Sequence, residues 1–340
     1  FSKLMAMSQT GGTVSVLQPV ASTVLPVWHH HEEPWVVRRD PQDPSPTIPT
    51  ENVLVSYPWT VGDSLEVGRT LLIGGGSPAV YDGYQLVENG FPWAPEIRDV
   101  DEAGVDSELD AGDYSYVATY EWRDAQGQLH RSAPSQVVTH THVTGIVVVT
   151  VSTVTCSMRD NTYWYPGANP IEIVLWRASA DGDGIFRRVY ATQANSSFQI
   201  EDTPINDPTT YEIDINDILA ESLIVRHEIL PYQLLTGGGW TPLPPYCPPA
   251  FSCITKWKNR VWAADAADPR LLWYSQEVLP EPGGINSLPP EWNPSLTFRV
   301  DEVGRITALQ SMDNMLVLFT DRGIYTITGE GADSTGQNTS

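Results

Sequence analysis

The chain is punctuated too often for helices. It carries 28 prolines and 26 glycines, and turn-forming residues interrupt its apolar runs roughly every ten residues. Proline removes a backbone donor and breaks a helix interior. What lies between the interruptions is short, β-branched and aromatic: "RTLLIGG" at 69–75, "GIVVVTVSTV" at 145–154, "MLVLFT" at 315–320. Such runs fold as short antiparallel strands joined by tight turns.

Five stretches differ in grammar. Residues 1–60 are an extended segment: "GTVSVLQPVASTVLPVW" reads as one or two strands and "EEPWVVRRDPQDPSPTIPTENV" as a proline-broken loop. In 61–104, "RTLLIGG" and "PAVYDGYQLVE" are strands around a Gly-Ser-Pro corner, the second interrupted by an Asp82-Gly83 turn. In 105–210, "GDYSYVATYEW" places Tyr114, Tyr116, Ala118 and Tyr120 on one strand face. "RDAQGQLHRSAPS", "TGIVVVTVSTV", the hairpin "NPIEIVLWRASADGDGIFRRVYATQ" and "SSFQIEDTP" follow at sandwich spacing. They predict an inserted immunoglobulin- or fibronectin-like β-sandwich. Residues 211–250 form a linker in which "INDILAESLIV", with an Asn/Asp cap and Ile218, Leu219 and Leu223 at helical spacing, predicts a short helix.

Residues 251–340 return to the style of 61–104. "CITKWKNRVWAADAADPRLLWYSQEV" predicts two strands around an "AADP" turn, and "ITALQS", "MLVLFT" and "GIYTIT" predict three more. Consecutive short antiparallel strands of this kind are the pattern of a propeller blade. The expected fold is therefore all-β, a β-propeller-like domain carrying an inserted sandwich. The chain opens on Phe1 and closes on the polar "GEGADSTGQNTS" directly after a strand pair. The expectation is a longer protein with further blades.

Charge narrows the function. There are 42 acidic against 19 basic residues, a net charge of -23. Such a surface disfavours nucleic acid, whose phosphates need Lys and Arg, and keeps copies soluble at some cost in self-repulsion. No apolar run reaches the roughly eighteen residues of a membrane span. Cys156, Cys247 and Cys253 form neither a disulfide framework nor a zinc motif, although Cys247 and Cys253 are spaced to pair across a proline-rich turn.

The candidate motifs each have a plainer reading. "GGG" at 74–76 is followed by no Gly-Lys-Ser/Thr and opens no helix, so it reads as a corner where backbone crowds backbone. "GGG" at 237–239 reads the same way. In "HHHEEPW", His29 and His31 share a strand face with Glu33, a set that suits zinc or nickel; the alternative is a solvated loop beside Pro34. His140 and His142 also share a face, but no carboxylate is spaced to orient them. "SADGDGIF" at 179–186 approaches the Asp-box of sialidase propellers, with Asp183 where Gly belongs. It also approaches a calcium loop, with Thr192 where the Glu belongs; a hairpin turn is simpler. There is no Gly-x-Ser-x-Gly and no local cysteine signature, and no pair of acids is singled out for glycoside chemistry. Trp176 and Trp262 sit in apolar strand patterns and read as core.

Taken in order, "LLIGGGSPAVYDGYQLVENGFP", "LDAGDYSYVATYEWRDAQGQLHRSAPS", "IVLWRAS", "FRRVY", "FQIEDTP", "KNRVWAA", "LLWYSQE" and "ITALQSMDNMLVLFTDRGIYTITG" resemble the tail nozzle, or tail tubular protein B, family of short-tailed bacteriophages. The resemblance spans residues 65–330. It implies a virion tail protein with no enzymatic activity, no cofactor and no catalytic residues. It further implies a homohexameric ring below a tail adaptor protein and above a tail fibre, spike or needle. Double-stranded DNA would pass through its channel during ejection without specific binding. The composition agrees independently, because an acidic lumen repels phosphate; "EIRDVDEAGVDSELDAGD" is a candidate for lumen or outer surface. The competing expectations are a secreted or surface carbohydrate-binding or glycoside-hydrolase propeller with a fibronectin-like module, and a receptor adhesin of the same virion. The scarcity of arginine counts against the glycosidase.

Overall fold

The computed structural model describes residues 63–68, 70–74, 78–82, 86–104, 108–124, 127–152, 171–179, 184–191, 212–220, 222, 226–235, 239–278 and 289–329. It also gives the backbone course of β1 (Gly12–Gln18), β2 (Trp28–His31) and β3 (Val53–Trp59), an antiparallel sheet in the order β2-β1-β3. The chain is all-β, with essentially no helix.

A first antiparallel meander follows in chain order: β4 (Ser64–Val67), β5 (Thr70–Ile73), β6 (Ala79–Tyr81) and β7 (Leu86–Glu88). The sandwich then interrupts. Its strands are β8 (Ile97–Ala103), β9 (Gly112–Arg123), β10 (Leu129–Arg131), β11 (Val138–His142), β12 (Ile146–Ser152), β13 (Glu172–Ser179), β14 (Arg187–Ala191) and β15 (Glu212–Asp217). The long β9 is the spine of one sheet. β13 and then β14 lie on one side of it, and β10 and β11 share the other. The facing sheet runs β15-β12-β8.

Two-residue periodicity decides the core. Tyr114, Tyr116, Ala118, Tyr120 and Trp122 all point inward from β9 and pack with Val147, Val149 and Val151 of β12. The opposite face of the same sheet is covered too. Val117, Val174, Trp176 and Ala178 lie beneath Leu230 and Tyr232, which precede the small hairpin β16 (Gln233–Leu234) and β17 (Trp240–Thr241).

Two further meanders complete the described chain. One is β18 (Phe251–Trp257), β19 (Arg260–Asp265), β20 (Leu271–Tyr274) and β21 (Thr297–Arg299); the other is β22 (Ile306–Met312), β23 (Met315–Thr320) and β24 (Ile324–Ile327). Their leading hairpins are built on one register. The β18–β19 ladder runs from Phe251↔Asp265 to Trp257↔Arg260, with a bulge before Cys253↔Ala264. The β22–β23 ladder runs from Ile306↔Thr320 to Met312↔Met315, with a bulge before Ala308↔Phe319. Phe251 maps to Ile306 and Arg260 to Met315, a constant step of 55 residues. The β4–β5 ladder repeats the part nearest the turn, Ser64↔Ile73 to Val67↔Thr70. In all three, the first turn residue is left-handed: Gly68 at φ 63°, Lys258 at 47° and Asp313 at 48°.

Equivalent positions make equivalent contacts. Val67 and Leu72 of the first meander share a core with Ile254, Val261 and Ala263 of the second. The alternate residues of the second, Cys253, Trp257, Trp262 and Ala264, share a core with Leu309, Leu316 and Leu318 of the third. Stepping Ile254, Val261 and Ala263 forward by 55 gives Leu309, Leu316 and Leu318. Each meander thus covers the forward face of the one before it with its own backward face.

Two expectations are corrected. The expected helix does not start at 215: residues 215–217 end β15, where Ile213 and Ile215 face the sandwich core, whereas Ser222 further along the same span is helical. Residues 221 and 223–225 lie outside the described residues. The stretch 253–278 holds three strands rather than two, because the Lys258-Asn259 turn splits the first. The tyrosine face of β9 and the burial of Trp176 and Trp262 are as expected, whereas no disulfide joins Cys247 and Cys253.

The register makes adjacent residues unequal. Leu318→Ala, on the covered face, is expected to cost about 2–4 kcal/mol. Phe319→Ala, one residue on and facing outward, should cost less than about 1 kcal/mol. Urea denaturation midpoints of the two variants check this.

Candidate functional site

The candidate metal ligands His29 and His31 fall in β2, opposite Ser15 and Thr13. Their side chains and all of Glu33 lie outside the described residues. Among the described residues, no group of three or more His, Cys, Asp or Glu is arranged to hold a metal. Of "GGG" at 74–76 only Gly74 is described. Its backbone meets β18 so closely that a Cβ would lie 3.1 Å from the Phe251 carbonyl oxygen. Of "SADGDGIF", 180–183 lie outside the described residues, and the flanks are the paired strands β13 and β14.

The chemistry-bearing groups gather instead in and around the sandwich. Between its two sheets, Arg177 of β13 and Asp217 of β15 form a fully buried ion pair, Nη1 to Oδ2 at 2.5 Å. The Tyr116 hydroxyl donates to the same oxygen at 2.9 Å, and Arg177 Nη2 donates to the Leu219 carbonyl at 2.8 Å. The guanidinium lies 5.1 Å from the centre of the Tyr114 ring. Burial, then the Asp217 charge, pushes the Tyr116 phenol far up, so it stays a donor at any physiological pH. Asp217, within the expected Asn/Asp cap, is instead the buried counter-charge of Arg177.

A second network lies on the outer face of the β9 sheet. Arg131 of β10 pairs with Glu121 at 2.5 Å and Glu228 at 3.0 Å, and its guanidinium sits 5.4 Å over the Trp176 ring. Glu228 also binds Arg188 at 3.1 Å, which reaches Glu172 at 3.4 Å. Beside it is a cleft lined by Asn89, His130, Arg131, Tyr246, Glu291 and Trp292. The Tyr232 hydroxyl donates to Glu291 at 3.3 Å. Burial pushes the Glu291 carboxyl up to about 7, against the opposing pull of Arg131 and Tyr232. His130 is buried against Asp124, Nε2 to Oδ2 at 3.1 Å. Asp124 also accepts from the Gln128 amide at 2.8 Å, and Gln128 accepts from the Thr70 hydroxyl of β5 at 3.1 Å. These bonds tie the sandwich to the first meander.

The expectation that no carboxylate orients His140 and His142 is overturned. Glu102 of β8 lies across the sandwich edge. Its Oε1 is 2.8 Å from His142 Nδ1, 3.5 Å from His140 Nε2, and accepts from the Val143 amide at 2.7 Å. That amide bond, helped by the two rings, lowers the Glu102 carboxyl against the effect of burial. The partner is distant in sequence, so spacing within "THTH" gave no sign of it.

Around this cleft Glu121 pairs with Arg131 and Asp124 with His130, while Glu291 lines the cleft itself. No protein-family model matches the chain, and neither does any curated protein or solved structure.

Two outcomes are expected. Arg177→Met leaves Asp217 charged and buried without its cation, at a cost of about 3–5 kcal/mol; adding Asp217→Leu should recover much of it, as a double-mutant cycle in urea would read. Glu291 holds a proton in the folded chain that the unfolded chain, with an ordinary value of 4.5, has released. Its contribution to stability is therefore full below pH 4.5 and lost as pH rises through about 7. The loss is at most about 3 kcal/mol. Glu291→Gln should flatten the pH dependence of unfolding in that window relative to the parent chain.

Proposed function

We propose that the protein is a structural subunit of a bacteriophage tail, a non-enzymatic ring component of the nozzle through which double-stranded DNA leaves. The observation that carries this reading is the run of meanders, packed backward face on forward face in one register, with a sandwich joined to it through a shared apolar core and the Asp124-Gln128-Thr70 hydrogen bonds. Such meanders read as consecutive propeller blades, and a rigid blade stack with an inserted sandwich is suited to bearing load in a tail.

Charge supports the reading. The exposed face of the β15-β12-β8 sheet carries Asp99 and Asp101 on one side strand and Asp214 and Glu212 on the other, Glu212 being paired with Arg98 at 3.1 Å. Turned to a channel, these carboxylates would repel DNA phosphates and leave the duplex free to slide. Turned outward, they would set the spacing of neighbouring proteins in the virion. An adaptor above and a fibre, spike or needle below are the partners this reading calls for.

Negative-stain electron microscopy of the purified protein is the test. Rings with an open bore, six-fold under this reading, are expected, with no hydrolysis of a glycan panel. Isolated particles that cleave glycans would replace the conduit with a carbohydrate-active propeller.

A further inference from the structure

The acids on the exposed face of the β15-β12-β8 sheet are not alike. Those on β15 reach across the face. Asp214 accepts from the Thr150 hydroxyl of β12 at 2.6 Å, and Glu212 accepts from Arg98 Nη1 at 3.1 Å. Those on β8 turn back on their own strand. Asp99 Oδ1 accepts from the Val100 amide at 3.0 Å, and Asp101 Oδ1 accepts from the Glu102 amide at 2.8 Å. The same bond is made twice, at alternate positions of one strand.

Among the described residues β8 ends its sheet, with β12 on one side only. Amides along an antiparallel strand point alternately to its two sides. Those on the open side of an edge strand are a ready template for another strand. Val100 and Glu102 are of one parity, and both amides are bonded to a neighbouring carboxylate instead of to β12. The strand is otherwise fit to pair. It is extended over the seven residues Ile97–Ala103 and contains neither proline nor glycine.

We infer that Asp99 and Asp101 close the β8 edge to strand addition, and that the strand they exclude is β8 of a second copy of this chain. The edge is the same in every copy, so two copies can bring it together about a two-fold axis. Centred on Val100, that pairing sets Asp99 of each copy opposite Asp101 of the other. Like charges directly opposite destabilise a strand pair. The amides that would join the strands are also already donating. The carboxylates therefore guard the edge twice, by occupying its donors and by repelling their own images. This role does not depend on the ring reading above, because it concerns a contact that the chain avoids.

Three double variants of the full chain test this. Asp99→Ala with Asp101→Ala removes the acceptors and the charge. Asp99→Asn with Asp101→Asn removes the charge and keeps an acceptor oxygen. Glu212→Ala with Asp214→Ala removes two charges from the same face and no bond to an amide of β8. In sedimentation velocity over a concentration series, only the first should associate beyond the state of the parent chain. Its Val100 and Glu102 amides should exchange hydrogen faster than the parent's when dilute and become protected again when concentrated. A first variant that sediments as the parent does at every concentration overturns the inference. Association of the asparagine variant as well makes charge the whole guard and overturns the role of the amide bonds. Association of the β15 variant overturns the assignment to β8. Should the first variant melt early, Asp101→Ala alone carries the test: exchange should quicken at Glu102 and not at Val100, and equal exchange at the two overturns the inference.

Discussion

A β-sheet that is apolar on both faces has to be covered twice, and the β18–β21 meander is such a sheet. All of β19, Arg260–Asp265, is buried. Its two side-chain rows go to different neighbours, one to the first meander and one to the third. A strand of this kind reads as a continuous apolar run rather than an alternating one. The first junction is so tight that backbone approaches backbone at Gly74 and Phe251. The second is filled by rings, with Trp262 stacked on Tyr274 at 4.8 Å and tilted against Trp257 at 5.5 Å. Remove either neighbour and a large aromatic or aliphatic surface is returned to water, so the three meanders stand or fall as a stack.

The sandwich shares one apolar core with this stack, Phe91 packing on Tyr120 at 5.8 Å, and polar contacts add to it. Inside the sandwich, Arg177, Asp217 and Tyr116 are costly to bury, and an isosteric apolar trio would hold its two sheets together at least as strongly. What the charged trio adds is direction. A guanidinium satisfied by Asp217 and the Leu219 carbonyl accepts only one registration of β13 against β15. The Asp124-Gln128-Thr70 chain does the same for the sandwich against β5. Apolar packing sets how strongly the modules adhere, and these bonds set how they are oriented.

The strands were legible because their signal is local. Tyrosines alternating at 114, 116 and 120 state a face without knowing its partner. What failed was non-local. "INDILAESLIV" has a cap and helical spacing, yet Asp217 is held as the buried counter-charge of Arg177, forty residues earlier in sequence. Likewise "THTH" cannot announce Glu102, forty residues before His142. The repeat was hidden for a different reason. It lives in ladder register and not in residue identity: Trp257 and Arg260 become Met312 and Met315, and Trp262 becomes Val317. The forward face carries aromatic rings in the second meander and methionines in the third. No comparison of letters aligns them, although the bulge falls at the same step in both.

Charge completes the physical picture, because the same period-two rule that buries the core also sorts the acids. Along β8, Ile97 and Val100 pack against the core of the sandwich while Asp99 and Asp101 stand outside. Across the sheet β15 repeats the division, Ile213 and Ile215 in, Glu212 and Asp214 out. Acidity is thus not spread evenly over the surface. It is gathered on faces that no apolar partner can approach, and withheld from the outer row of the third meander and from 229–235. A chain with so large a net charge stays apart from its copies almost everywhere. In such a molecule, repulsion does the work of specificity: it leaves few orientations in which two copies can meet, before any contact energy has been counted.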